Sequence, residues 1–344
     1  MRSSLIIVFM ILFTFEMSFG DILDRWANYK KTFLSEDGRI IDFQNNSITH
    51  SEGQGYGMLL SLLFDDKQTF DKIWSWTKNN LMVRKMDKLF AWSWGLHPSG
   101  KWRVLDYNNA TDGDTLIAYS LCLAGEKWKI DGYINEARNI ISDLRELLII
   151  KRDDSHFLLP GYYGFYKEDS LIINPSYYIL PAYKVFAKYD DRSFWGKFYS
   201  DSIRLLKNLN FGPYKLPSDW IVLKDKNIYI FSEKKDTFGI EAIRIPIYAI
   251  MAKEFELIEK FRDFIGLVER IGYVPEDIDL KENRLSYKEG MAMHYIILSS
   301  LAKHFEKRQL SEILRQKGLK KLEEEHKNYY SHTLSLIVLA MEER

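Results

Sequence analysis

Apolar residues recur at helical spacing along most of this chain. Twelve segments carry that period: 22–33, 52–64, 66–82, 112–125, 130–149, 176–188, 191–208, 238–252, 254–269, 288–303, 306–323 and 325–343. They alternate between two kinds. The even-numbered segments are apolar on nearly every face, as in 56–64 (YGMLLSLLF), 115–124 (TLIAYSLCLA) and 333–341 (TLSLIVLAM). The odd-numbered ones carry charge down one side, as in 131–147 (DGYINEARNIISDLREL). A helix apolar all round is buried, and a one-sided helix lies on the surface. Six inner helices alternating with six outer ones describe an all-α (α/α)6 barrel, and there is no internal repeat of fixed period to suggest a solenoid. Short extended pieces are expected near 38–43, 89–94, 102–106, 155–165 and 228–231. A barrel of this kind confines its chemistry to the loops that enter the inner helices at one end.

The first 20 residues stand apart from that pattern. Arg2 opens them, 5–15 is an almost unbroken apolar run, and Ser18 and Gly20 supply the small residues of an export cleavage site. The run is shorter than the roughly 20 residues of a membrane span. An export signal is therefore expected, with an uncleaved anchor as the alternative, and either places the protein in the periplasm or outside the cell. The remainder, 21–344, holds no linker or low-complexity tract and reads as one domain. Basic and acidic residues balance at 48 each and are mixed along the chain, which argues against nucleic acid or an anionic membrane as partner. The lone Cys122 sits in an apolar helix and reads as an inert thiol. Most of the 21 Tyr, 21 Phe and 9 Trp belong to the core, but such a supply also suits a sugar ligand, whose apolar faces stack on rings.

Three carboxylate motifs interrupt the helical pattern. Ser51-Glu52-Gly53-Gln54-Gly55-Tyr56-Gly57 opens the second segment, and three glycines so close together are costly in a helix, roughly 1 kcal/mol each. They are tolerable where something large approaches the backbone, so Glu52 and Tyr56 point to a ligand surface. Thr111-Asp112-Gly113-Asp114 opens the fourth, where Thr111 and Asp114 also read as a capping box. Glu241 and Arg244 open the eighth, three residues apart in an otherwise apolar stretch, where a charge pair needs a reason to be. All three motifs stand at the entrances of inner helices. Carboxylates flanking one cleft are the chemistry of glycoside hydrolysis, which needs no metal or organic cofactor. Trp92, Tyr177 and Trp220 offer stacking platforms, although each equally suits the core.

These residues resemble glycoside hydrolase family 8, the bacterial endoglucanases together with chitosanases, xylanases and lichenases. The stretch from Ala110 through Asp112 and Asp114 to Trp128 looks like the family signature, and 90–94, 174–178 and 217–220 carry further similarity. The resemblance implies an (α/α)6 barrel and inversion at the anomeric carbon. It implies Glu52 as catalytic acid and Asp112 as the residue that binds and distorts the sugar, with Asp114, Arg244 and the three aromatic residues about the substrate. Family endoglucanases usually have Ser-Tyr-Asp-Ala-Ile-Arg where this chain reads Gly239-Ile240-Glu241-Ala242-Ile243-Arg244, so the general base is expected to be Glu241 where Asp is usual. Glu233 and Asp236 are the alternatives. The expected substrate is a cellulose-like β-1,4-glucan, acted on by a monomer that accompanies a bacterial cellulose synthesis system. Chitosan, xylan and mixed-linkage glucan are the rival substrates. A binding protein that kept the cleft and lost the base is the rival function.

Overall fold

The computed structural model describes residues 19–167 and 169–343; the expected export signal lies outside them except for its last two positions. In chain order the helices are α1 (Phe19–Phe33), α2 (Ser51–Leu63), α3 (Lys67–Asn80), α4 (Thr111–Trp128), α5 (Asp131–Asp143), α6 (Leu180–Tyr189) and α7 (Arg192–Asn208). They continue as α8 (Ile245–Ala252), α9 (Phe255–Glu259), α10 (Arg262–Ile271), α11 (Ala292–His304), α12 (Arg308–Glu324) and α13 (Tyr329–Glu342).

The inner ring closes on itself: α2 packs on α4, α4 on α6, α6 on α8, α8 on α11, α11 on α13, and α13 back on α2. The other helices pack outside these, α3 on α2, α5 on α4, α7 on α6 and α12 on α11. This is the (α/α)6 barrel that the alternation of apolar and one-sided segments calls for. Every residue of α2 except Glu52 and Leu63 is buried. Each wholly buried Leu, Ile or Phe on such a helix contributes about 1.5–3 kcal/mol, and that burial stabilises the ring without a disulfide. Cys122 lies in the core, where burial pushes its thiol up to about 12. No helix among the described residues is long and apolar enough to cross a membrane.

Proline and short apolar runs account for the differences from the sequence expectation. The expected helix 176–188 begins only at Leu180, because Pro175 starts a single 3-10 turn and Pro181 restarts the chain as a helix. The expected helix 238–252 begins at Ile245, with Pro246 in its first turn. Ahead of it lie a strand, Thr237–Phe238, and a 3-10 turn, Ala242–Arg244, so Glu241 is presented from a loop. The expected helix 254–269 is two helices, α9 and α10, and 130–149 ends in a π turn before turning into the strand Ile149–Arg152. Of a four-stranded antiparallel sheet, Tyr166–Lys167, Ser170–Ile173, Ile221–Lys224 and Asn227–Ile230, only the last strand is expected from sequence, while the piece expected near 155–165 forms Ser155–Leu158, paired with Ile149–Arg152 in a separate sheet.

Candidate active site

The site begins where α2 and α4 cross. A Cβ on Gly113 would overlap Ser51 Oγ and lie 2.7 Å from the Glu52 backbone nitrogen, and one on Gly55 would lie 2.6 Å from Leu116 Cβ. Gly55 and Gly113 thus admit a neighbouring helix, while Gly53 and Gly57 lie against Tyr329 and Ile40, so the glycines serve packing; of the Gly-rich segment read as a ligand surface, only Glu52 lines the cleft. The close crossing sets Asp112 beside Glu52. Gly113→Ala has no way to keep that approach, so it should cost on the order of 1–3 kcal/mol, read by urea denaturation, and reduce activity more than its stability loss explains.

Arg244 ties the three motifs together. Its side chain is 2% exposed. One terminal nitrogen donates to Glu52 Oε1 and, at 3.1 Å, to Asp112 Oδ2. The other donates to Glu241 Oε2 and, at 2.6 Å, to Ser176 Oγ. Its guanidinium also lies over the rings of Tyr177, 5.4 Å from the centroid, and Tyr330, 5.9 Å. One cation cannot neutralise three carboxylates drawn out of water, and the two most deeply buried, Glu52 and Asp112, hold protons more tightly as a result. Burial pushes Glu52 up to about 7, with Glu241 adding repulsion that Arg244 partly offsets. Burial likewise pushes Asp112 up to about 7, with Glu52 as the next cause. Each also acts on the other: the Glu52 charge raises Asp112, and a side-chain hydrogen bond with Asp112 tempers the rise at Glu52.

Glu241 is the most accessible of the three, its side chain 29% exposed. Its Oε2 accepts from Arg244, from Asn174 Nδ2 at 3.1 Å and from Ser176 Oγ at 3.4 Å. Its Oε1 has no hydrogen bond among the described residues. The loop that carries it is pinned by Asp219, buried beneath it. Asp219 Oδ1 accepts from the backbone nitrogens of Gly239 (2.9 Å) and Ala242 (2.8 Å), and Oδ2 from Thr237 Oγ1 (2.9 Å). Burial pushes Asp219 up to about 6. The three acids and Arg244 line a cleft of about 370 Å³, with Tyr177, Ile240 and Tyr330 in its walls. Neither Glu233 nor Asp236 reaches it, and Asp236 is paired with Lys281 at 3.0 Å.

The remaining sequence candidates divide. Tyr56 is fully buried with its hydroxyl 2.6 Å from that of Tyr248, so it belongs to the core beneath the cleft and not to its wall. Asp114 and Thr111 form no capping box. Asp114, pushed up to about 7 by burial, accepts from the Phe90 backbone (2.8 Å) and from Asn109 Nδ2 (2.7 Å), while Thr111 Oγ1 donates to the Leu159 carbonyl (2.7 Å). Asp114 thereby fastens the loops at the mouth of α4 without touching the cleft. Trp92 is half-buried, and its carbonyl accepts from Ser51 N at 3.0 Å, fixing the start of α2. Tyr177 lines the cleft, and half-buried Trp220 stands behind it at 6.2 Å, stacked on Phe165. His50, Asp42, Tyr329 and Tyr330 at the cleft were not singled out from sequence; only His50, directly before Ser51-Glu52, carried a signal, as the residue preceding a helix.

With this geometry in place, comparison with known proteins identifies the lineage. The sequence profile of the glycosyl hydrolases family 8 matches residues 2–344. An endoglucanase of Cellulomonas uda is 38% identical over 224 residues, 65% of this chain and 62% of that protein. An endoglucanase of Escherichia coli O157:H7 is 32% identical over 84% of this chain and 79% of its own length. The solved endo-β-1,4-glucanase from Acetobacter xylinum superposes with a TM-score of 0.82 at 30% identity, covering 94% of this chain and 98% of that one. The matched stretch is thus under two thirds of the Cellulomonas protein's length but nearly all of the Acetobacter structure. A profile matching the whole chain, on a closed ring of helices with three carboxylates at one end, shows that this chain belongs to glycosyl hydrolase family 8.

Proposed function

We propose that this protein is an inverting endo-β-1,4-glucanase acting on cellulose-like chains, with Glu52 as acid and Glu241 as base. The observation that carries this reading is the single guanidinium joining Glu52, Asp112 and Glu241 on the floor of an open cleft. Glu52, pushed up to about 7, holds a proton at neutral pH for the leaving glycosidic oxygen. Glu241 has one oxygen held by three donors and the other without a hydrogen bond among the described residues, placed to take a proton from the attacking water. Asp112, 2% exposed, offers the sugar at the cleavage point a fixed acceptor that strengthens as its ring flattens. Tyr177 contributes a ring at the cleft wall. The relatives' names, endoglucanase and endo-β-1,4-glucanase, support a glucan over chitosan or xylan. We also read the protein as exported, monomeric and working beside a cellulose synthesis system.

Reducing-sugar release from carboxymethylcellulose, set against chitosan and xylan, tests the substrate, and NMR of the first product tests inversion. An initial β-anomer would overturn the roles given to Glu52 and Glu241. The base is tested separately. Glu241→Gln should lower kcat by about 10²–10⁴-fold. Glu241→Ala should recover part of that loss in azide, with an α-glycosyl azide as product. Glu241→Asp, which restores the usual residue on a loop shaped for Glu, should still lose on the order of tenfold to a hundredfold, because the carboxylate retreats by about 1 Å. Gain of activity in that variant would show that the extra methylene is a handicap.

A further inference from the structure

An inverting cycle leaves both carboxyl groups in the wrong state: the acid has lost its proton and the base has gained one. Glu241 can shed its proton to water in the cleft. Glu52 has to acquire one, and its Oε1 is occupied by Arg244. Its Oε2 lies 3.7 Å from Nδ1 of His50, and Nε2 of the same ring lies 3.5 Å from Asp42 Oδ2. All three side chains are between 13% and 16% exposed, so the row runs along the edge of the cleft. His50 Nδ1 accepts the backbone N–H of Gly53 at 3.2 Å as the cap of α2, which places the ring proton on Nε2, toward Asp42. Tyr329 holds the ring edge-on at 5.1 Å. The charged groups about His50 are thus Asp42 from the preceding loop and Glu52 on α2, with Arg244 and Asp112 beyond Glu52.

We propose that His50, oriented by Asp42, is a positioning residue that returns a proton to Glu52 between turnovers. This rests on the reading of Glu52 as the acid. Once Glu52 has given up its proton, the new carboxylate faces Nδ1, and a solvent proton adds there to make the imidazolium. The Gly53 N–H is released as this happens. The Nδ1–H bond then breaks as Glu52 Oε2–H forms, and the ring returns to neutral with Nε2–H still toward Asp42. The state seen in the structure, with Nδ1 accepting from Gly53, corresponds to the loaded acid.

His50→Asn is the informative variant, because its Oδ1 can still cap α2 but has no proton to pass on. Wild type and variant are compared on cellohexaose, whose leaving alcohol needs a proton, and on β-cellotriosyl fluoride, whose fluoride leaves with little protonic help. On cellohexaose kcat should fall about tenfold with KM changed by less than about twofold, and added imidazole should restore most of the loss. On the fluoride the loss should shrink to under about threefold. Asp42→Asn should show the same dependence on the leaving group, to a smaller extent. Equal losses on both substrates, full kcat on cellohexaose, or no response to imidazole overturns the relay. A wild type that cleaves neither substrate overturns the glucanase reading, and this inference with it.

Discussion

Glu52→Gln is expected to lower kcat on β-1,4-glucan by about 10²–10⁴-fold while making the protein more stable at alkaline pH. Gln keeps the shape of the side chain and its contact with Arg244 but holds no transferable proton. The stability effect follows from the folded protein holding the Glu52 proton up to about 7, against 4.5 for an ordinary Glu. Between those values the folded state binds more protons than the unfolded one. The contribution of Glu52 to stability is therefore fully present below 4.5 and lost as pH rises through about 7. Gln removes that loss. The variant should melt roughly 2–4 °C above wild type at pH 8, with the difference vanishing toward pH 5, by scanning calorimetry. The same ionisation should bring the alkaline fall of wild-type kcat/KM near pH 7. A Gln variant retaining a tenth or more of wild-type activity would remove Glu52 from the mechanism.

The barrel was legible in the sequence because its physical cause is one-dimensional. A helix buried on all sides, such as α4 with Leu116, Ile117, Ala118, Leu121 and Cys122, has no charged residue along its middle, and its outer neighbour α5 does. The strands Ser170–Ile173 and Ile221–Lys224 were missed because a short apolar run carries no period that separates strand from helix. The start of α8 was misplaced for a different reason: apolarity continues from Ile240 to Ala252, but Pro246 and the bonds from Asp219 decide where the helix begins.

The carboxylates of the site were legible because they break a pattern, each an acid at the mouth of an apolar helix. What the sequence does not display is the distance between residues far apart in the chain. Asn174 and Ser176 stood in a recognised segment, yet their bonds to Glu241 depend on the 3-10 turn at Pro175. Tyr56 was misassigned because a tyrosine among glycines looks the same whether it faces a ligand or, as here, the hydroxyl of Tyr248. The glycines, read as room for a ligand, are room for neighbouring protein: α4 at Gly55, Tyr329 at Gly53 and Ile40 at Gly57.

Arg244→Met should be the most damaging single change to the fold of the site. Arg244 is buried, and its loss leaves Glu52, Asp112 and Glu241 facing one another without the cation that joins them. Removing one partner from a buried ion pair costs about 3–5 kcal/mol, because the other partner stays desolvated and unpaired. Here the deserted partners are acids that can protonate, so the cost should depend on pH. Without Arg244 the affinity of Glu52 and Asp112 for protons rises further, the folded state holds still more protons than the unfolded one, and stability is lost as pH rises. Urea denaturation should show a penalty near the full range at pH 8 and a smaller one at pH 5. Adding Glu52→Gln and Asp112→Asn to Arg244→Met should recover much of the pH 8 loss without recovering activity, which separates charge from packing. Arg244→Lys keeps the charge, but a single ammonium lacks the two-pronged fork that spans Glu52 and Glu241. It should therefore fold better than Arg244→Met yet lose roughly a hundredfold in kcat, through carboxylates misplaced by about 1 Å. A Lys variant with wild-type kcat would mean that the guanidinium serves the fold alone, and that acid and base are aligned by their helices.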